Sequence, residues 1–274
     1  MSPRLRVVSL NLASGRGPDG RSRTPADLTR SMAPLAGLDA DVLCLQEVDA
    51  AQPRSGGADQ PALVAAAVGA VDWRSAAAVR GTPGLVRDWV PAPAVLRGLQ
   101  DAPAATPEYG IALLVRRPVA SWHRLELGTG RGRLPLRATD PRTGRATWWF
   151  FPDEPRVAVA AVLEDGAVVA ATHLSFAPVT AGRQLRAVRT WLAGLPSAAG
   201  PGAVRLLAGD LNLPGGLPAR LTGGRSLVRG ASFPAHGPRL QLDHVLSLGA
   251  PVAAQGQVLD LALGDHRAVL ADVG

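Results

Sequence analysis

Polar side chains that can bind a metal ion or transfer a proton recur at the ends of predicted strands. Carboxylate and amide oxygens are hard ligands that suit Mg2+ or Mn2+, and the chain offers too few soft ligands to favour zinc. Imidazole groups exchange protons near neutral pH. Because strand ends aim side chains into a shared crevice, the pattern predicts one ligand or catalytic site. The residues concerned are Asn11, Glu47, His173, Asp210, Asn212, Asp243, Asp265 and His266.

Each of these residues has an ordinary structural explanation when it is considered alone. A carboxylate such as Glu47 that follows an apolar strand commonly forms a turn or caps a helix. The run Gly209-Asp210-Leu211-Asn212 is compatible with a simple Asx turn, and an isolated histidine is usually a hydrogen-bonded structural residue. Their joint order along the chain is what favours chemistry: Asn, Glu, His, Asp-x-Asn, Asp and Asp-His, each placed at a predicted strand end.

The elements that would position these side chains follow from the hydrophobic pattern. Many strands with only three helices favour one α/β domain in which packed sheets carry helices on their outer faces. The Pro-rich segment Asp72–Glu108 has no assignable pattern. The helices are expected from Pro25 to Pro34, over Pro61–Val71 and over Thr180–Leu195. The strands are expected at Arg4–Leu12, Asp41–Val48, Tyr109–Val115, Ala120–Leu127, Ala146–Phe151, Arg156–Leu163, Ala167–Leu174, Val204–Leu211, Gln241–Leu248, Gln257–Leu261 and Arg267–Val273.

Composition excludes several classes of protein. Hydrophobic residues make up 47% of the 274 residues and charged residues 19%, which argues against disorder. No stretch of about 20 apolar residues is free of charged residues and proline, so no membrane span is expected. The single cysteine, Cys44, excludes an internal disulfide and lies in an apolar run typical of a core. The first residues lack a charged and apolar leader, so a cytoplasmic location is the default expectation.

The basic charge is concentrated in one segment. The formal net charge is +7, and residues 113–147 contain eight arginines against Glu126 and Asp140. Such a segment is typical either of a phosphate-bearing partner or of a solvated loop. It is followed by Trp148-Trp149-Phe150-Phe151, which holds four of the eleven aromatic residues in the chain.

The order of these motifs resembles the endonuclease/exonuclease/phosphatase superfamily, which includes deoxyribonuclease-I-like nucleases, apurinic endonucleases, inositol polyphosphate phosphatases and neutral sphingomyelinases. The resemblance implies a four-layer αββα sandwich of two mixed β-sheets flanked by helices, a single domain over residues 1–274, with the active site at one end of the paired sheets. The matching motifs are SLNLASG (Ser9–Gly15), LCLQEV (Leu43–Val48), YGIALLVRR (Tyr109–Arg117), EPRVAVAAV (Glu154–Val162), ATHLS (Ala171–Ser175), LLAGDLNLP (Leu206–Pro214), LDHV (Leu242–Val245) and GDHRAV (Gly264–Val269).

The resemblance also implies a metal site and a phosphate pocket. Mg2+, or Mn2+ in its place, is expected on Glu47, with Asn11 and Asp265 near it or completing its shell, partly through water. Tyr109 and Arg156 match positions that line the phosphate pocket, although a strand residue and a surface charge explain them as well.

The remaining motif residues are expected to be catalytic. By similarity, Asp210 orients or deprotonates the attacking water and Asn212 fixes its position. His266 is expected to pair with Asp243, which would favour the charged imidazole. His173 would donate to a phosphate oxygen and so stabilise the transition state. The sequence leaves open whether Asp210 or His266 is the general base.

The substrate is less well defined than the reaction. Arginines and aromatics together suit nucleic acid, which we favour, because arginine contacts phosphates and aromatic rings stack on bases. An aromatic hairpin at a membrane interface would instead suit a sphingomyelinase-like enzyme without a membrane span. The sequence is also compatible with an inositol- or sugar-phosphate phosphatase, and with a catalytically silent binding module on the same fold. A monomer is expected.

We predict that the purified protein hydrolyses an activated bis-aryl phosphodiester with Mg2+, and that a chelator abolishes this activity. Asp210→Asn, Glu47→Gln and His266→Ala should each lower the rate about 100-fold or more, as expected for lost acid–base or charge-stabilising groups. Unchanged turnover of Glu47→Gln would contradict the metal assignment.

Overall fold

The computed structural model describes residues 4–84, 88–130, 133–139 and 145–274. The helices are α1 (Pro25–Ser31), α2 (Ala33–Ala36), α3 (Gln60–Val68), α4 (Pro178–Gly194) and α5 (Leu217–Thr222). The strands are β1 (Leu5–Asn11), β2 (Val42–Ala50), β3 (Asp72–Thr82), β4 (Asp88–Pro91), β5 (Arg97–Gly98), β6 (Glu108–Val115), β7 (Val119–Gly128), β8 (Arg133–Thr139), β9 (Ala146–Pro152), β10 (Arg156–Leu163), β11 (Val168–His173), β12 (Arg205–Asp210), β13 (Arg225–Ser226), β14 (Asp243–Ser247), β15 (Ala254–Leu259) and β16 (Ala268–Val273).

Most strands belong to two mixed sheets. The first sheet has the order β15-β16-β1-β2-β6-β3-β4, with β5 paired to β3. The second has the order β13-β14-β12-β11-β10-β7. Each sheet contains one parallel pair, β1 with β2 in the first and β11 with β12 in the second, and its other pairs are antiparallel. The parallel pairs matter for the site because they bring the ends of two strands to the same edge.

Three apolar clusters hold the layers together. The cluster between the sheets includes Val7 and Val159, both fully buried. A second cluster packs α1, α2 and α3 on the outer face of the first sheet, and a third packs α4 on the outer face of the second. Because the centre of each sheet is buried on both faces, central strands such as β10 and β11 are near-continuous apolar runs rather than alternating ones. The result is the four-layer αββα sandwich that the sequence resemblance implied.

The eleven strands predicted from the pattern are all present, although β15 begins three residues earlier than expected. The unassigned segment Asp72–Glu108 contains β3, β4 and β5. The strand β3 has few β-branched residues, and it forms because it pairs with β6 on one side and with β4 and β5 on the other. Local propensity therefore gave no signal for a strand that tertiary pairing stabilises.

Among the described residues, the strands β8 and β9 pair with each other and with no other strand; we call this two-stranded sheet the aromatic hairpin. Within the described part of the chain, no helix is long and apolar enough to cross a membrane.

The packing of α4 gives a direct test of the outer layer. Leu185 is fully buried in the cluster beneath α4, so Leu185→Ala should lower the free energy of unfolding by about 2–5 kcal/mol through lost burial and a residual cavity. Arg189→Ala on the exposed side of the same helix should change the free energy of unfolding by less than about 0.5 kcal/mol. Equal effects of the two changes in denaturant titration would show that α4 is not packed in this way.

Candidate active site

Strand register brings three predicted site residues side by side. His173 lies opposite Asp210 in the parallel pair of β11 and β12, and Asp210 lies opposite Asp243 in the antiparallel pair of β12 and β14. All three are at least nine-tenths buried. The strand ends of the second sheet therefore converge as the sequence predicted.

A glycine is required immediately before Asp210. Gly209 has a φ of +153°, and a Cβ atom at this position would lie 1.9 Å from the carbonyl oxygen of Thr172. Any side chain would thus push β12 away from β11 and separate Asp210 from His173. The glycine of the Gly-Asp-x-Asn motif is explained by this close backbone approach.

The sequence prediction that Glu47 ends its strand was wrong. The strand β2 continues to Ala50, and Glu47 lies within it at a register shift between Gln46 and Val48 in the pairing with β6. Its φ of +52° is unfavourable for a residue with a side chain. A bulge of this kind re-aims one side chain, and here it turns a half-buried carboxylate toward Asn11.

Asn11 links the two sheets through its side-chain amide. Its Nδ2 donates to Glu47 Oε1 and to Asp210 Oδ2, both at 3.2 Å, while its Oδ1 accepts from the amide of Ala13 at 3.0 Å. In this orientation the side chain holds two carboxylates at a fixed separation. Its oxygen is already engaged by the backbone.

Asp210 lies at the centre of the site. Its Oδ2 is 3.6 Å from Nε2 of His173 and 3.7 Å from Nε2 of His266. Burial, reinforced by the charge of Asp243, raises the pKa of Asp210 to about 7, although His266 and the hydrogen bonds from Asn212 and Asn11 oppose the shift. A carboxylate with this pKa is able to accept a proton near neutral pH.

The two histidines of the site carry different charges. Burial alone would lower the pKa of His266, but the attraction of Asp243, Asp210 and Asp265 outweighs it and raises the pKa to about 10. His266 Nδ1 lies 2.8 Å from Asp243 Oδ2. Burial holds the pKa of His173 well below its usual range, helped by the positive charges of Arg156 and His266. One imidazole is therefore cationic at neutral pH and the other is neutral.

Asn212 orients the carboxylate of Asp210 and the loop that follows β11. Its backbone amide donates to Asp210 Oδ1 at 3.0 Å, and its Nδ2 donates to the carbonyl of Leu174 at 2.9 Å. Its φ of +50° is another unfavourable backbone angle at this edge of the sheets. Unfavourable angles that gather at one place are typical of functional sites.

Tyr109 and Arg156 lie beside Glu47, where they were expected to line a phosphate pocket. Burial and the charges of Glu47 and Glu154 raise the pKa of Tyr109 well above its usual value. Arg156 is 5% exposed, with its Nη2 3.6 Å from Glu154, and its Nε has no hydrogen-bond partner among the described residues. A buried guanidinium with an unused donor is suited to an anionic ligand.

Two residues of this pocket were missed by the sequence analysis. Glu154 is a half-buried carboxylate beside Glu47, and its partial burial raises its pKa. Arg54 lies 5.3 Å above the ring of Tyr109 and makes a bidentate ion pair with the buried Asp49. Glu154 stood within a motif already quoted, whereas no sequence signal marked Arg54, because only the tertiary structure brings its loop over Tyr109.

The remaining histidine of the LDHV motif, His244, faces away from the site. Its Nε2 lies 2.9 Å from the carbonyl oxygen of Leu213, and the residue is fully buried. The ring of His244 thus holds the loop after β12 and is not part of the site.

Carboxylates outnumber cations around the pocket, which suits a divalent metal ion. Glu47 accepts a hydrogen bond from Asn11 and, within the described residues, forms no ion pair. The ligand atoms of Asp210, Asp243 and His266 lie within 4.8 Å of one another, a cluster that can hold a metal. A charged imidazole is no ligand, however, so oxygen donors around Glu47 fit a hard cation better. The side chain of Asp265 is exposed next to His266.

The basic segment is partly neutralised by ion pairs. Arg116 pairs with Asp39, Arg117 pairs with Asp41 and Asp165, and Arg124 pairs with Glu126. The side chains of four further arginines of the segment lie outside the described residues: Arg131, Arg133, Arg137 and Arg142.

Comparisons with known proteins agree with the fold. The sequence profile described as the endonuclease/exonuclease/phosphatase family matches residues 8–266. An endonuclease/exonuclease/phosphatase structure from Beutenbergia cavernae is 20% identical, with 98% of this chain and 71% of that chain covered and a TM-score of 0.62. One from Bacteroides vulgatus is 14% identical, with 100% and 99% covered and a TM-score of 0.58.

TDP2 from D. rerio, solved in complex with a single-stranded DNA product, is also similar to this chain. It is 14% identical, all of both chains is covered, and the TM-score is 0.57. At these identities the likeness shows the fold. No curated protein matches the sequence.

The charge state of His266 is directly measurable. Its imidazole should keep its proton up to about pH 10 in an NMR titration, whereas Asp243→Asn should lower the pKa because the main attractive charge and hydrogen bond are lost. Loss of the proton below pH 7 in the unaltered protein would contradict the pairing. Asp165→Asn, at an exposed ion pair remote from His266, is the matched control and should leave the titration unchanged.

Proposed function

The chain belongs to the endonuclease/exonuclease/phosphatase family and is a phosphoric ester hydrolase; on that premise we propose that it hydrolyses phosphodiester bonds of nucleic acid with the help of Mg2+. One observation carries the proposal. A buried carboxylate with a pKa of about 7, Asp210, lies between a neutral and a cationic imidazole. This arrangement provides a proton acceptor and two donors around one small volume.

Asp210 is the general base in this mechanism. It accepts a proton from the water whose oxygen attacks phosphorus, and the bond to the leaving oxygen breaks. His266 already holds its proton through Asp243, so it is poorly suited to take another. Asn212 keeps Asp210 in position through its backbone amide.

The phosphate is held by donors around the base. His266 and His173 donate N–H groups to non-bridging oxygens, where negative charge develops in the transition state. Arg156 offers its unused Nε donor, and Tyr109 its hydroxyl. The half-buried Glu154 keeps Arg156 in place.

Glu47 is the main metal ligand in this proposal, with Asp265 and, through water, Asn11 nearby. Mg2+ bound there, or Mn2+ in its place, would neutralise charge on the phosphoryl and leaving oxygens. Asn11 contributes by holding Glu47 and Asp210 apart at a fixed distance, since its amide nitrogen bonds to both. The excess of carboxylates over cations is what supports a metal here.

Nucleic acid is the favoured substrate class. TDP2, which shares the fold, was solved with single-stranded DNA product. Residues 131–144 of this chain add four arginines and one aspartate, a net positive charge that suits a polyanion.

A substrate panel tests this choice. With Mg2+, supercoiled plasmid, abasic duplex or RNA should be hydrolysed in preference to sphingomyelin vesicles and inositol phosphates, and the KM for the nucleic acid should rise steeply with salt. Asp210→Asn should abolish the cleavage, whereas Asp165→Asn should not. Cleavage confined to lipid or inositol phosphate would overturn the nucleic-acid assignment while leaving phosphodiester chemistry in place.

A further inference from the structure

The aromatic hairpin leaves two large side chains exposed on one face. Trp148 is 64% exposed and Phe150 is 57% exposed. They are two residues apart in β9, and side chains two apart in a strand point to the same face. Exposure of two neighbouring large aromatic rings is unusual for a surface with no ligand or partner.

The base of this hairpin is fastened beside the catalytic residues. Asp153, which directly follows β9 and is only 5% exposed, accepts from the amide of Gly130 at 2.6 Å and from the hydroxyl of Ser175 at 2.9 Å. The hydroxyl of Thr129 donates to the carbonyl of Asp153 at 2.7 Å. Because Ser175 lies two residues after His173, one carboxylate ties both ends of the hairpin to the loop that leaves the site.

Strand register places the hairpin at the catalytic edge of the second sheet. Gly128 is the last residue of β7, the strand that precedes the hairpin, and it lies opposite Arg156 at the start of β10. The strand β11 runs antiparallel to β10 and ends at His173. The hairpin therefore begins at the edge of the second sheet that carries His173 and Arg156.

The spacing of the exposed rings suggests what they hold. Side chains two apart in an antiparallel strand are separated by about 6.8 Å. Stacked bases rise by about 3.4 Å. The gap between Trp148 and Phe150 thus equals two stacking distances, enough for one flat base between the rings.

We infer that Trp148 and Phe150 clamp one unpaired base of a single-stranded nucleic acid whose backbone leads into the phosphate pocket. The inference rests on the proposed function and extends it by naming the substrate form and its base-binding residues. A base within a duplex is covered on both faces by its neighbours, so only an unstacked base fits between two rings. Residues 131–144 carry four arginines and one aspartate, a net positive charge that is opposite to the charge of a nucleic-acid strand.

The test compares a 12-residue thymidylate strand with a base-free strand of the same length, both bound in the presence of a chelator so that they stay intact. Trp148→Ala and Phe150→Ala should each weaken thymidylate binding about 5- to 150-fold, the range for one lost stacking partner. Neither should change the affinity for the base-free strand by more than about twofold. Trp148→Phe should retain most of the affinity, and Val90→Ala, at an exposed valine outside the hairpin, is the control.

The outcomes separate this inference from the proposed function. Equal losses for both strands, or no loss for thymidylate, would overturn the base clamp. If Trp148→Ala and Phe150→Ala lower binding to phosphatidylserine vesicles but leave the affinity for thymidylate unchanged, the base clamp is overturned in favour of a membrane contact. Hydrolysis of a bis-aryl phosphodiester by the unaltered protein tests the proposed function independently, since that small substrate carries no base.

Discussion

The burial of Asp210 is the constraint on which the site depends. A carboxylate that is 2% exposed is costly to ionise unless its oxygens are satisfied. Here Asn11 and the amide of Asn212 donate to it, and the cation of His266 lies 3.7 Å away. These partners come from three separate segments, so the carboxylate is stabilised only when both sheets are in place. The balance leaves its pKa near neutrality, where a proton acceptor is most useful.

Asp210 and Asp243 face each other across β12 and β14 but have different roles. Asp243 is fully buried and holds the proton of His266, and one of its oxygens has no hydrogen-bond partner among the described residues. Its charge also raises the pKa of Asp210. One buried negative charge therefore keeps an imidazole protonated and makes the neighbouring carboxylate more basic. Register supplies this coupling, because it fixes the two carboxylates as cross-strand neighbours.

Local backbone strain also helps to position the residues of the site. Glu47 and Asn212 both have positive φ, and Gly209 meets the backbone of β11 too closely for any side chain. Such positions cost free energy and persist because the surrounding sheets over-determine them. The sandwich supplies this rigidity through a core in which the central strands of each sheet are buried on both faces. The packing that stabilises the layers therefore also fixes the orientation of the site residues.

The sequence by itself determined the fold class, eleven of the sixteen described strands and the chemical types gathered at the site, because apolar runs and strand-end polar residues are local signals. It did not reveal β3, whose alanine-rich strand depends on its partners, nor the bulge that carries β2 past Glu47. The sequence led to the expectation that Asp243 favours a charged His266, but only the tertiary structure decided that His173 is neutral, since its lowered pKa depends on burial and on the charges of Arg156 and His266, which come from distant segments. It also decided that Arg54 covers Tyr109 and that Asp153 joins the hairpin to the catalytic edge, because those contacts cross gaps in sequence that no local pattern spans.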